Sequence, residues 1–326
     1  MAKFDDGPSP YELIREAGLA APPGGGTVRR DTAVARFAPY CVAVVARIAA
    51  LLGVILLAAG CAASGSAAPQ GFTDGSTQHT MRFGGLERSY RLYIPSGLTS
   101  PAPLVVMLHG GFGSAQQAER TYGWDELADG EKFVVAYPDG VSRAWNVDGG
   151  CCGRPGRENI DDVGFVNAVV DNVAANVNID PRRRYATGIS NGGMLAYALA
   201  CDTGTFAAIG PDSATRLDTC ATPRPTSVMH IHGTADPRIR YDGGPGSGVA
   251  TPDGGPSMPD LNAFWRNVDG CAAPTSTTDG AVTTSTADCP DGRSVDLVTV
   301  AGGGHEWPSF ASAALWQFFA AHPRPS

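Results

Sequence analysis

Residues 187–194 read TGISNGGM, one serine set among three glycines. In a G-x-S-x-G arrangement the small residues let a strand-to-helix turn close backbone on backbone, leaving the Ser190 hydroxyl exposed as a nucleophile. Residues 185–189 have the character of a strand and residues 193–201 that of a helix, which is the context such a turn needs. The same letters also fit a plain Ser-Asn-Gly turn with a helix N-cap. A serine hydroxyl needs a base, and the base a carboxylate to orient it. Of the six histidines, His305 lies in AGGGHEWP, directly after the last expected strand. His230 reads as a packed or surface residue within a strand, His109 and His232 as loop-shaping residues before glycines, and His79 and His322 as terminal. Between Ser190 and His305, Asp236 in HGTADP follows a strand. Asp212 and Asp218 suit turns, and Asp161 and Asp162 suit a helix start favoured by the macrodipole. Ser190, Asp236 and His305 thus arrive in the chain order of a strand-end catalytic triad. For the oxyanion of an acyl-transfer intermediate, the loop LHGGFGSA (108–115) supplies Gly111 and the turn supplies Asn191, both through main-chain N–H groups.

Around these residues, Phe112, Trp145 and Trp307, with Tyr241, lie in or beside loops expected to surround the site. They would accommodate an aromatic or flat acyl group, or pack the loops themselves. Residues 241–259 form a long Gly- and Pro-rich loop after the acid strand, an entrance-shaping element or a surface excursion.

The elements that must position these side chains alternate. Strand-like runs are expected at 90–95, 103–110, 132–140, 183–190, 206–213, 227–236 and 295–305, and helical spacing at 161–177, 192–202, 260–268 and 309–322. Several runs are apolar throughout, as strands covered on both faces are. The alternation implies a mainly parallel sheet with helices on both sides, an α/β architecture whose ligands bind at the carboxyl ends of the strands.

Taken in order, LHGGFGSA, WNVDGGCCG, DDVGFV, GISNGGM, HGTADP and GGGHEWP resemble the polyhydroxybutyrate depolymerase-like and feruloyl esterase group of α/β-hydrolases, over about residues 82 to 320. The resemblance implies an α/β-hydrolase fold and an exported serine carboxylic ester hydrolase with no metal or organic cofactor. It also implies a triad at Ser190, Asp236 and His305 and oxyanion donors at Gly111 and Asn191. Short hydroxyalkanoate, feruloyl or related esters are the expected substrates. An acyltransferase of the same fold, or an envelope-binding lipoprotein with an idle triad, would carry the same residues. Polymer-degrading members often have separate linker and surface-binding domains; none is recognised here, so action on solid polyester is not expected.

Composition narrows the partners. The 326 residues carry 24 Lys and Arg against 32 Asp and Glu, a net charge of −8, which disfavours nucleic acid as a partner. The first sixty residues differ from the rest: Arg29, Arg30, Arg36 and Arg47 precede IAALLGVILLAAG (48–60). That run is shorter than the ~20 residues needed to span a bilayer, and its basic flank and small-residue exit fit a secretory signal peptide. An uncleaved anchor over 37–60 is the alternative. LAAG before Cys61 resembles a lipobox with Ala58 where Leu is usual, so Cys61 is the expected lipidation site, putting the protein outside the cell or on the outer face of the plasma membrane. The expected organisation is an N-terminal extension and signal peptide at 1–60, a flexible mature N-terminus at 61–81 and an esterase domain at 82–326. With Cys41 in the leader and Cys61 set aside, the remaining six cysteines of an exported chain read as disulfides. Cys201 with Cys220 and Cys271 with Cys289 close the shortest loops, leaving Cys151 with Cys152 by elimination. No zinc-ligand spacing is present, and nothing in the sequence marks an oligomeric state.

Overall fold

The structure, a computed structural model, describes residues 72–99, 101–147, 151–217, 219–247 and 254–325. The expected signal peptide, Cys61 and Asp218 lie outside the described residues. The strands are β1 (Gly75–Phe83), β2 (Leu86–Ile94), β3 (Ala102–Leu108), β4 (Val134–Pro138), β5 (Ile179–Ile189), β6 (Ala208–Asp212), β7 (Ser227–Gly233), β8 (Thr275–Asp279), β9 (Val282–Asp288) and β10 (Ser294–Val300). They form one sheet in the order β1-β2-β4-β3-β5-β6-β7-β10-β9-β8. The run from β4 to β10 is parallel, and antiparallel pairs close both edges. The helices are α1 (Ala115–Thr121), α2 (Trp124–Glu131), α3 (Gly153–Arg157), α4 (Asp162–Asn176), α5 (Asn191–Asp202), α6 (Met258–Asp269) and α7 (Ala311–Ala321).

Side-chain alternation along the central strands explains the two-sided core. Leu104, Val106 and Leu108 of β3 join the cluster that holds Phe165 of α4, Leu195 of α5 and Trp265 of α6. Val105 and Met107, from the intervening positions, join Ala118 of α1, Trp124 of α2 and Phe319 of α7 on the other side. Successive residues of a strand point to opposite faces, so a strand buried on both must be apolar at every position, as β3 is.

Three differences from the sequence expectation have physical causes. The sheet begins at Gly75, not at 82: β1 pairs with β2 through a Gly84–Gly85 turn in which both residues have positive φ, so residues 75–81 are strand. This edge strand is too polar to announce itself by hydrophobic pattern. The second is the β8–β9 hairpin, built on the threonine-rich TSTTDGAVTTSTAD. Threonine favours extended backbone and Asp279-Gly280 is a tight-turn dipeptide, but no apolar alternation marks the hairpin. The third is the assignment of Asp162. Asp161 caps α4, accepting from the Gly164 N–H at 2.7 Å, whereas the buried Asp162 pairs with the buried Arg88 of β2 at 2.7 Å and accepts the Asn146 N–H at 2.7 Å. That contact ties α4 to the loop before Cys151.

Disulfides join Cys151 to Cys152, Cys201 to Cys220 and Cys271 to Cys289. Cys201 lies in α5, the helix that begins directly after Ser190, so its bridge to Cys220 anchors that helix to the segment leading into β7. Replacing both cysteines with alanine is expected to lower the unfolding free energy by about 3 kcal/mol, the value for a loop of this size. Urea unfolding under non-reducing conditions measures it, and an unchanged midpoint would mean that the bridge adds nothing.

Candidate active site

Ser190 stands between β5 and α5 with φ 55° and ψ −123°. A non-glycine residue at positive φ costs of order 1–3 kcal/mol and persists only where its surroundings over-determine it. Here the Ser190 N–H donates to the Asp212 carbonyl at 2.9 Å, and the Ser190 carbonyl accepts from the Met194 N–H at 2.9 Å. The end of β3 presses against the same turn. A Cβ built on Gly192 would lie 2.2 Å from the Leu108 carbonyl oxygen, and one on Gly188 would lie 2.6 Å from that oxygen. Both glycines are therefore required by close backbone approach, and the turn can hold only small neighbours around Ser190.

Asp236 follows β7 and His305 follows β10, neighbouring parallel strands. Their loops are joined by backbone hydrogen bonds, Thr234 N–H to Val300 O and Ala235 N–H to Gly303 O, each at 2.9 Å. His305 Nδ1 then lies 2.8 Å from Asp236 Oδ2. The other carboxylate oxygen, Oδ1, accepts the backbone N–H groups of Arg238 at 2.8 Å and Ile239 at 3.0 Å. Burial alone would push the Asp236 carboxyl up. Donors from His232, His305 and the Ile239 N–H outweigh it and hold the group well below the usual carboxylate range. Asp236 is thus a buried anion satisfied by hydrogen-bond donors on both oxygens.

Ser190 and His305 line one cavity of about 490 Å³, a volume suited to a small ligand. The Ser190 hydroxyl has no hydrogen-bond partner among the described residues, so the serine–histidine contact is open in this state. Such contacts tighten when substrate binds. Asp212 meets the site through its backbone, by way of the Ser190 N–H; the His305 imidazole is bonded to Asp236.

Gly111 and Asn191 come together at the cavity wall, with a Cβ built on Gly111 3.9 Å from the Asn191 Cβ. The amides around them are distributed unequally. Phe112 N–H donates to Arg143 O at 2.8 Å and Gly113 N–H to Gly110 O at 2.9 Å. The Gly111 N–H meets no acceptor among the described residues, nor does the Asn191 N–H at the start of α5, where the helix itself offers none. Two free donors therefore flank Ser190. The Asn191 side chain is engaged elsewhere: its Oδ1 accepts the Trp145 N–H at 2.7 Å and its Nδ2 donates to the Trp145 carbonyl at 3.1 Å.

The expected aromatic lining is corrected. Phe112 lines the cavity and is 81% exposed. Trp145 is fully buried, donating its indole N–H to His109 O at 2.8 Å, and does not reach the cavity. Trp307 packs on the Tyr122 ring at 5.0 Å and donates to Ser312 Oγ, holding the His305 loop against α7. Tyr241 is hydrogen-bonded to Thr299. An aromatic residue in a glycine-rich loop is as useful for fastening the loop as for touching a ligand, and only the fold distinguishes the two. The cavity is completed instead by Gln117, Tyr122, Cys152, Met194 and Arg238. Of these, Arg238 had a sequence signal, two residues beyond the acid; Cys152 arrives because its N–H donates to the Trp145 carbonyl, and Trp145 is in turn held by the Asn191 side chain. In the 241–259 loop, Gly244 pairs with Gly255 across a single bridge, and residues 248–253 lie outside the described residues.

Comparison with known proteins follows the same lines. Residues 88–242 match the family model described as esterase PHB depolymerase. Over 253 residues the chain is 34% identical to the putative esterase NocK of Nocardia uniformis subsp. tsuyamanensis, covering 69% of this chain and 72% of that protein. The chain belongs to the PHB depolymerase esterase family. This esterase is also 32% identical to feruloyl esterase B of Piromyces equi over 65% of its length, but spans only 41% of that larger protein. It is 29% identical to feruloyl esterase C of Emericella nidulans, covering 72% of this chain and 84% of that one. Among solved structures, acetyl xylan esterase from Aspergillus awamori superposes with a TM-score of 0.56 at 16% identity, over 75% of this chain and 99% of that one, a likeness of fold. The esterase thus has the α/β-hydrolase fold and is a carboxylic ester hydrolase.

Proposed function

We propose that the esterase works through a Ser190–His305–Asp236 triad and a serine acyl-enzyme. The observation that carries this reading is the 2.8 Å bond from His305 to the buried Asp236 on the same cavity as the strained Ser190 turn. His305 Nε2 takes the Ser190 proton as the hydroxyl oxygen attacks the ester carbonyl; Asp236 fixes the tautomer and stabilises the imidazolium. The Gly111 and Asn191 N–H groups stabilise the oxyanion. His305 then returns the proton to the leaving alkoxide, and water, deprotonated by the same imidazole, releases the acyl group. Short hydroxyalkanoate, feruloyl or related esters are the substrates that fit the cavity and the family. The experiment is turnover of p-nitrophenyl butyrate, methyl ferulate and soluble 3-hydroxybutyrate oligomers, with and without an added alcohol, alongside labelling by a fluorophosphonate. Turnover with Ser190 as the labelled residue supports the reading; folded protein that neither turns over nor labels sinks it. Ester exchange in preference to hydrolysis would reassign the acceptor from water to an alcohol.

Arg238 gives the substrate choice a direction. Apart from His305 it is the one ionisable side chain other than a phenol on the cavity wall, and its guanidinium has no acid partner among the described residues. Esters with a free carboxylate, such as hydroxybutyrate oligomers, are therefore favoured over neutral ones of equal size. Arg238→Gln is expected to lower the ratio of kcat/KM for a carboxylate-bearing ester to that for its neutral counterpart by about 10-fold, the worth of one charged hydrogen bond. An unchanged ratio would remove Arg238 from recognition.

The bridged cysteines and the leader support export, with Cys61 as the lipid attachment point on the outer face of the plasma membrane. Mass spectrometry of the mature N-terminus tests this: a diacylated Cys61 supports anchoring, and an unmodified downstream residue refutes it.

A further inference from the structure

Behind Asp236 lies a chain of buried polar groups that the reaction scheme leaves unused. His230 and His232 are two apart on β7 and so share a face, and they are 1% and 0% exposed. The Tyr197 hydroxyl, on α5, lies 2.8 Å from His230 Nδ1. His230 Nε2 lies 3.0 Å from His232 Nδ1. His232 Nε2 lies 2.8 Å from the Ile239 carbonyl and 3.4 Å from Asp236 Oδ2, the oxygen that also meets His305.

The direction of this chain follows from its ends. A carbonyl can only accept, so His232 Nε2 carries a hydrogen. With a neutral ring, Nδ1 must accept, so His230 donates from Nε2 and accepts at Nδ1 from the Tyr197 hydroxyl. The reverse direction would leave the Tyr197 hydroxyl hydrogen without an acceptor in a fully buried place, a costly arrangement. Burial agrees: it drives the His230 imidazole well below its ordinary range and the Tyr197 phenol well above, so both are neutral. The hydrogen bonds then run from Tyr197 through His230 to His232, whose Nε2–H is donated to the Ile239 carbonyl with Asp236 Oδ2 beside it at 3.4 Å, and each donor polarises the next.

We propose that His232 is a positioning residue for ester hydrolysis, its Nε2–H, held by the Ile239 carbonyl and 3.4 Å from Asp236 Oδ2, moderating how strongly that carboxylate holds the His305 imidazolium, with His230 on β7 and Tyr197 on α5 polarising it. The inference rests on the Ser190–His305–Asp236 reading. Losing the His232 donor makes Oδ2 a stronger acceptor, which stabilises protonated His305 and moves the acid limb of kcat/KM to higher pH. Among the described residues, the other titratable groups around the acid and base are Asp212, Glu306, Arg238 and Tyr241. They are common to all the variants, so differences between variants isolate His232.

The test is the pH dependence of kcat and KM for p-nitrophenyl butyrate, over about pH 5 to 9, in the full chain and in His232→Leu, His232→Gln and Tyr197→Phe, with circular dichroism as the check on folding. His232→Leu is expected to lower kcat by about 10-fold or more with little change in KM, and to raise the acid limb by roughly half to one pH unit. His232→Gln restores a donor and recovers part of both. Tyr197→Phe removes one oxygen far from the substrate and moves the limb the same way by less; it decides the matter if His232→Leu does not fold. A lowered kcat with an unmoved limb in folded His232→Leu and Tyr197→Phe overturns the inference and leaves His232 a packing residue. A rate that survives His305→Ala overturns the triad and this inference together.

Discussion

Ser190→Ala is expected to lower kcat for p-nitrophenyl butyrate by roughly 10⁴-fold or more, with KM changed far less, because the proposed acyl-enzyme route needs that oxygen and the proposed oxyanion donors alone would supply only the residual catalysis. The other hydroxyl on the cavity wall is Tyr122, a phenol whose oxygen accepts from Gln117 Nε2 at 3.2 Å. Because the Ser190 hydroxyl is hydrogen-bonded to none of the described residues, removing it orphans no buried group among them, and the melting temperature should stay within a few degrees. Single-turnover assays at high enzyme concentration, with fluorophosphonate titration to exclude wild-type carry-over, measure the residual rate. A loss below about 10-fold would mean that another group carries the acyl transfer.

Asp236→Asn should cost kcat about 10⁴-fold, the size of effect expected when the orienting acid becomes an amide. The reason is specific to this site. The groups that meet Asp236 present N–H: two backbone N–H groups and His305 at hydrogen-bond distance, on Oδ1 and Oδ2, with His232 Nε2–H at 3.4 Å from Oδ2. An amide has one accepting end, so whichever way it turns, its NH2 faces donors. With the NH2 toward the imidazoles, His305 is driven to the wrong tautomer; with it toward Arg238 and Ile239, two backbone N–H groups lose their acceptor. Stability responds too. The wild-type carboxyl sits below its ordinary value, so its contribution is fully present above about pH 4, near the unfolded value of 3.8, and is lost as pH falls through the lower folded value. The gap in unfolding free energy between wild type and Asp236→Asn should therefore be widest at neutral pH and narrow in acid. A gap independent of pH would contradict an anionic Asp236.

The parts of the site legible in the amino-acid sequence were those whose chemistry and backbone demands coincide. Ser190 was conspicuous because Gly188 and Gly192 must tolerate the β3 backbone at van der Waals distance, and no other residue type can. Asp236 and His305 were legible because strands covered on both faces are continuous apolar runs, so their carboxyl ends can be read as positions. Where the signal weakens, so does the reading. β1 and the β8–β9 hairpin are edge elements with polar faces, and nothing periodic marks them. Trp145 and Trp307 were expected on the cavity wall, yet one is sealed beneath the Ser190 turn and the other fastens a loop.

Local sequence is sufficient for turn chemistry, strand and helix alternation, and the placing of Ser190, Asp236 and His305 at or beyond strand ends, because each is a property of neighbouring residues and their backbone. Which side chains share a cavity, that Arg238 is among them, and that Tyr197 on α5 reaches Asp236 through two histidines of β7 are decided by the packing of α5 on the sheet. Tyr197 and Asp236 are 39 positions apart in the chain and the cavity-lining residues farther still, and no local propensity encodes a distance of that kind. It is set only when the apolar faces of helix and sheet close on each other, and the buried polar groups caught between them must find partners there.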